Sequence, residues 1–176
     1  MLGADGAIQP NPSCSKDPVF TMKNQEPVKL LLDSREPWPH PWAAYFSPAV
    51  KLDRDCLETG DLALACFRDG AIVERKTASD LLGCIGKSRD RFERELKRSR
   101  YLGRLIVIVE GTLADVFAQS RGIHPSAIIG TLAAWQRRYA PVCFAGNVET
   151  AAKIAESFLL GQVREIERAA KAPLAF

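Results

Sequence analysis

The stretch Leu62-Ala63-Leu64-Ala65-Cys66-Phe67-Arg68-Asp69-Gly70-Ala71-Ile72-Val73-Glu74-Arg75-Lys76 decides the architecture. Both of its ends are apolar, and Asp69-Gly70 between them is the strongest short hairpin signal, so two antiparallel strands are predicted. Successive side chains of a strand point to opposite faces. Glu74 and Lys76 therefore share one face, about 6–7 Å apart, while Arg75 takes the other. Gly60-Asp61 precedes the first strand. Asp61 then enters the hairpin that Glu74 leaves, and both carboxylates fall at the end away from the turn, close enough for a shared cation.

A third strand is expected over Val28-Lys29-Leu30-Leu31-Leu32, whose near-continuous apolar run suits burial on both faces of a sheet. Asp33 closes it, at the carboxyl end where open α/β sheets form their crevices, and Glu36 reaches the same crevice. Each residue also has an ordinary interpretation. A lone Asp after a strand is commonly a solvated turn residue, and Glu74 with Lys76 alone makes a surface pair worth under about 1 kcal/mol. Together they carry more, because an apolar strand turning abruptly into Glu-Arg-Lys concentrates charge where a sheet meets its core or crevice.

The order Gly60-Asp61, twelve residues, Glu74-Arg75-Lys76, three residues, Asp80 resembles the signature of the XPF family of structure-specific DNA endonucleases. Further blocks share the resemblance: Asp33-Ser34-Arg35-Glu36, Asp80-Leu81-Leu82, Arg91 through Leu96, and Ser126 through Tyr139 followed by Pro141-Val142. Together they span about residues 28–165. The resemblance implies an α/β, restriction-endonuclease-like fold, a mixed central sheet flanked by helices. It also implies hydrolysis of DNA phosphodiesters near a junction of duplex and single strand, in repair or recombination, with Mg²⁺ or Mn²⁺.

Those cations prefer oxygen ligands and keep several waters, so a few carboxylates suffice. Asp33, Asp61 and Glu74 are the expected metal ligands. Lys76 is expected to position water or neutralise developing charge, and Glu36 to add an outer contact. Arg75, on the opposite strand face, is expected to pair structurally. Asp80 follows Thr77-Ala78-Ser79 and is expected to stabilise a helix start and orient Lys76 or Arg75.

Lys87 to Arg104 carries eight basic residues against Asp90, Glu93 and Glu95. Phe92 and Leu96 mark a buried side of an amphipathic helix, with Glu93/Lys97 and Arg91/Glu95 at i,i+4. Such a run is ordinarily a solvated face. Following directly on the acidic cluster, it is expected to contact a DNA backbone through Lys87, Arg89 and Arg91, with Arg35 beside them.

At 176 residues and 47% hydrophobic content, the chain is expected to form one domain over 27–176, preceded by a flexible tail over 1–26 rich in Pro, Asn, Ser and Gly. A net charge of +3 does not by itself argue for nucleic acid. The five cysteines include no C-x-x-C pair and suit buried thiols in a reducing, intracellular protein. His40 and His124 lie too far apart in sequence to suggest a zinc site. No apolar run is long enough to span a bilayer, and the N-terminus lacks the pattern of a signal peptide.

The predicted element order is βββαβααβα, with helices over Ser126–Tyr139 and Val148 to about Ala170, and Trp135, Tyr139, Ile154, Phe158 and Leu159 in the core. The family resemblance implies a homodimer through C-terminal helices. Family members commonly add a tandem helix-hairpin-helix module, for which residues up to Phe176 leave no room, so a separate DNA-targeting partner is expected. The alternative from another class is a non-catalytic DNA-binding or scaffold subunit, which would be expected to have lost Asp61, Glu74 or Lys76. Restriction or junction resolution is a third possibility, distinguished by its products.

Overall fold

The computed structural model describes residues 26–171. Its centre is a six-stranded sheet in the order β2-β1-β3-β4-β5-β6. The strands are β1 (Val28–Asp33), β2 (Val50–Asp55), β3 (Leu62–Leu64), β4 (Phe67–Thr77), β5 (Arg104–Glu110) and β6 (Val142–Phe144). Only β3 runs against its neighbours, pairing antiparallel with both β1 and β4, while β1/β2, β4/β5 and β5/β6 are parallel. The helices are α1 (Ala78–Ile85), α2 (Arg89–Leu102), α3 (Leu113–Gln119), α4 (Pro125–Arg138) and α5 (Val148–Lys171). This is the mixed α/β sheet flanked by helices that the sequence suggests.

The sheet separates two cores. On one face, Ile72, Val107 and Val109 pack against Leu81, Ile85, Phe92, Leu96, Ile128 and Trp135 of α1, α2 and α4. On the other, Leu30, Leu32, Leu62, Leu64, Val73 and Ile108 meet Trp42 and the Ala151, Ala155, Leu159 and Val163 stripe of α5. The alternation along β4 thus commits Glu74 and Lys76 to the α1/α2 face and Arg75 to the Trp42/α5 face. Trp135 and Leu159 are fully buried, and Tyr139, Ile154 and Phe158 pack at the core margins.

Four expectations require correction. The chain turns at Ala65-Cys66, not at Asp69-Gly70, which lies inside β4. The ladder from Leu62↔Val73 to Ala63↔Ile72 shifts at Leu64↔Phe67, so the extra β4 residues are taken up by a bulge. A strand unforeseen in the sequence, β2, adds to the outer edge of β1. Its Val50 and Leu52 alternate with Lys51 and Asp53, the pattern of a half-exposed edge, and Lys29 pairs with Asp53 at 3.0 Å. The single helix expected around the basic run is two, broken at Gly86-Lys87-Ser88. Cys56 and Cys66 are exposed rather than buried, whereas Cys84 is buried. The expected tail, except for Glu26, lies outside the described residues.

Asp69-Gly70 instead lies against Gly103. A Cβ on Gly103, which opens β5, would stand 2.5 Å from Gly70 Cα and 2.6 Å from the Asp69 carbonyl oxygen. The backbones at the start of the β4/β5 pair touch directly, and neither can yield as a side chain would. Gly103→Ala is therefore expected to destabilise the fold by about 1–3 kcal/mol, lowering Tm by roughly 2–4 °C per kcal/mol. Thermal unfolding followed by circular dichroism measures it, and an unchanged Tm would contradict the close approach.

Candidate active site at the carboxyl edge of the sheet

β3 is antiparallel, so its first end lies beside the last ends of β1 and β4. The pairs Leu32↔Leu62 and Leu62↔Val73, continued by one residue, align Asp33, Asp61 and Glu74 in a row across three strands. The Asp33 main-chain N–H donates to the Asp61 carbonyl at 2.9 Å, and the Asp61 N–H to the Val73 carbonyl at 2.9 Å. Gly60 makes this turn with φ of +77°, and a Cβ there would lie 2.2 Å from Ile72 Cγ2, so glycine before Asp61 has a steric cause.

Glu74 is buried, 3% exposed. Its Oε1 accepts from Lys76 Nζ, while Oε2 has no hydrogen-bond partner among the described residues. One Asp61 oxygen accepts from the Arg75 main-chain N–H at 2.7 Å. Burial, reinforced by the Asp61 charge and opposed by Lys76, pushes the Glu74 carboxyl up to about 8. Burial also pushes Asp61 up to about 6, opposed by Lys76 and reinforced by Glu36. Lys76, although desolvated, is held firmly protonated by Glu74 and Asp61, and its Nζ lies 5.2 Å from the Phe92 ring centroid.

Asp33 belongs to the row by register, but its carboxylate is turned to other partners. It accepts from the Arg35 main-chain N–H (2.8 Å), Arg35 Nε (2.7 Å), Arg35 Nη2 (2.9 Å) and the Leu57 N–H (2.8 Å). Although burial opposes it, these bonds hold the Asp33 carboxyl below its ordinary range. Arg35 remains 69% exposed while so engaged. Asp80 is exposed and closes the α1 cap, accepting from Thr77 Oγ1 at 2.7 Å as Thr77 accepts from the Asp80 N–H at 3.1 Å. Among the described residues, Asp80 is bonded to Thr77 and not to Lys76 or Arg75. Lys87 and Arg91 are exposed, and Arg89 pairs with Glu93 at 2.9 Å.

On the opposite face Arg75 is gripped by Glu110, with Nε to Oε1 at 2.7 Å and Nη2 to Oε2 at 2.8 Å. Trp42, 1% exposed, donates its indole N–H to the same Glu110 at 2.5 Å. Arg75 also lies 3.5 Å from Glu36, whose carboxylate stands 3.3 Å from Nε2 of buried His40. His40 Nδ1 accepts from the Trp42 main-chain N–H at 3.2 Å, which puts the neutral imidazole's proton on Nε2, facing Glu36. His40, Arg75 and Lys76 lower the Glu36 pKa against the effect of burial. Trp42 and Arg75 thus meet at Glu110, and Arg75 and His40 flank Glu36, although His40 Nε2 has no hydrogen-bond partner among the described residues. Sequence analysis missed Glu110, Trp42 and Glu95. Glu110 ends an apolar strand as Asp33 does, which was a usable signal. Glu95 borders the Phe92/Leu96 stripe and is half-buried, and its charge raises both Asp61 and Glu74.

Among the described residues no three metal-ligating side chains form a ready-made cage. Asp61 and Glu74 nevertheless fit a hard divalent cation. They are oxygen donors, they repel one another, and one buried oxygen is without a partner; Mg²⁺ needs only one or two carboxylates besides water and substrate.

The chain is thus an α/β protein whose mixed sheet, flanked by helices, gathers two carboxylates and a lysine where β1 and β4 end. The chain is a member of the ERCC4 domain family, whose model matches residues 32–158. Among solved structures, it is similar to XPF from Aeropyrum pernix, with a TM-score of 0.62 and 23% identity over 84% of this chain and 65% of that one. It is likewise similar to XPF from Aeropyrum pernix in complex with DNA, with a TM-score of 0.60 and 22% identity over 84% of this chain and 68% of that one. The first comparison spans just under two thirds of the Aeropyrum chain. No curated protein matches the chain.

Because Asp61 and Glu74 titrate above their ordinary values of 3.8 and 4.5, folding favours their protonated forms. Their contribution to stability is fully present below those values and is lost as pH rises through about 6 and about 8. In the absence of divalent cation, Glu74→Gln is expected to match wild type below about pH 4 and to unfold at higher temperature above pH 8. The gain in Tm is roughly 2–4 °C per kcal/mol recovered. Parallel pH profiles of Tm for the two proteins would contradict the buried charge.

Proposed function

We propose that this chain is a divalent-cation-dependent DNA endonuclease that hydrolyses phosphodiester bonds in branched or duplex/single-strand junction DNA, in repair or recombination. The observation that carries the proposal is the desolvated Glu74 carboxylate, with one oxygen unpartnered, beside Asp61 and Lys76. Family membership and the likeness to a DNA complex of XPF support DNA as the ligand.

Asp61 and Glu74 would hold the cation, Mg²⁺ or Mn²⁺. Bound there, it would polarise a phosphoryl oxygen and lower the pKa of water. Lys76 stays an ammonium in this setting, so its role is to neutralise charge gathering on the phosphate, not to take up a proton. Arg75 is committed to Glu110, and Asp33 to Arg35. We therefore assign Arg75 and Asp33 to positioning, Asp80 to the α1 cap, and Glu36 to an outer contact held by His40 and Arg75. Lys87 and Arg91, with Arg35 and Arg89 more fully paired, present cations to the backbone beside the site.

The test is cleavage of labelled flap, fork, four-way and linear duplex DNA with Mg²⁺, Mn²⁺ or EDTA. Branched DNA is expected to be cut only with a divalent cation, and Asp61→Asn is expected to abolish cutting while retaining binding. Lys76→Met is expected to slow it about 10²–10³-fold. Binding of DNA with no cutting under any of these conditions would overturn the enzyme in favour of a scaffold subunit.

A further inference from the structure

Of the three tryptophans, Trp42 and Trp135 are 1% exposed, whereas Trp38 is 56% exposed. Trp42 and Trp135 each donate to a carboxylate, Glu110 and Glu93. Trp38 instead has the Arg54 guanidinium over its ring, 5.7 Å from the centroid. Arg54 Nη2 donates to the main-chain carbonyls of Ser34, at 2.5 Å, and Glu36, at 3.1 Å. The indole is thus braced on one face by a residue that also fastens the Ser34–Glu36 turn to the edge strand β2. Because the partners of Arg54 are carbonyls, no carboxylate in these contacts cancels its charge.

Position adds to this. Trp38 follows Glu36 by two residues, so their Cα atoms are at most about 7 Å apart, and Glu36, which lies 3.5 Å from Arg75, is close enough to Asp61 for its charge to act there. A large, rigid aromatic surface with a cation beneath it, next to an acidic hydrolytic site, suits a flat aromatic ligand that carries a phosphate. A nucleobase whose partner strand has separated is such a ligand. A paired base keeps its faces inside the helical stack and offers none to the indole.

We propose that Trp38 is a stacking platform for an unpaired base of the DNA strand that enters the site, with Arg54 serving its phosphate. The proposal rests on DNA being the ligand, as argued above, and specifies which part of a junction the chain grips. It makes Trp38 a residue selective for junctions over duplex.

The test uses the full chain in EDTA, so that no strand is cut, with oligothymidylate, a fork and a blunt duplex. Tryptophan emission should contain an acrylamide-quenchable fraction that is absent from Trp38→Phe, because Trp42 and Trp135 are buried. Oligothymidylate and the fork should quench that fraction or shield it, and the duplex should not. By anisotropy, Trp38→Ala should weaken fork binding roughly 5- to 150-fold, leave duplex binding and Tm unchanged, and be largely rescued by Trp38→Phe. Wild-type fork affinity in Trp38→Ala, equal losses on fork and duplex, or emission inaccessible to acrylamide in the free chain would each overturn the platform while leaving the nuclease intact. Failure to bind any of the three DNAs would overturn both.

Discussion

One short strand sets the conditions for everything at the site. β3 contributes three residues, and it is the only strand of the described sheet that runs backwards. Were it parallel, Asp61 would stand at the amino edge, a strand's length from Glu74. Run antiparallel between β1 and β4, it delivers its leading carboxylate to the edge where β1 and β4 deliver their trailing ones. Like charges do not gather there spontaneously. The pairing holds them, through the main-chain bond from Arg75 to the Asp61 carboxylate and through the apolar contacts of Leu62, Ala63 and Leu64, all of them buried.

The electrostatics then divide by strand face. Toward α1 and α2, Glu74 and Asp61 face one ammonium, and the acids remain in excess and hard to ionise. Toward Trp42 and α5, the forked Glu110 pairs Arg75 through two hydrogen bonds and also accepts from Trp42, so that carboxylate is fully engaged. A single strand thereby carries an unsatisfied site on one side and its brace on the other. An arrangement that left Arg75 beside Glu74 instead would neutralise the acids and remove the drive for cation binding.

Much of this was legible in residue order. The apolar run of β1, the charge burst closing β4 and the period-two split of Glu74, Lys76 and Arg75 required only strand geometry, and the family resemblance rested on the same residues. What escaped had physical causes. Asp69-Gly70 looked like a turn because that dipeptide favours one, whereas here it lies within β4, where a Cβ on Gly70 would stand 1.8 Å from Phe67 Cε1 across the bulge. β2 is half-polar and follows a segment containing Pro37, Pro39, Pro41 and Pro48, where edge strands give little signal. The rotation of Asp33 toward Arg35 and Leu57, and the reach of Trp42 to Glu110, are side-chain choices that no pattern along a strand encodes.

The connection from Ser34 to Ala49 merits a mechanical view. It has little regular structure, only a 3-10 turn over Ala43–Tyr45, yet it is attached to four separate parts of the molecule. Arg54 holds its beginning, Glu36 reaches Arg75, Trp42 is tied to Glu110, and the Ser47 main-chain N–H donates to Glu156 of α5 at 3.1 Å. A segment fastened so often behaves as a strap and not as slack. Lengthening it by insertion would strain several anchors at once, including the one beside the acids. The turn at Gly122 is the opposite kind of connection, with open space where a side chain would project. For anyone grafting a tag, a label or a second domain onto this scaffold, the latter is the seam and the former the rivet line.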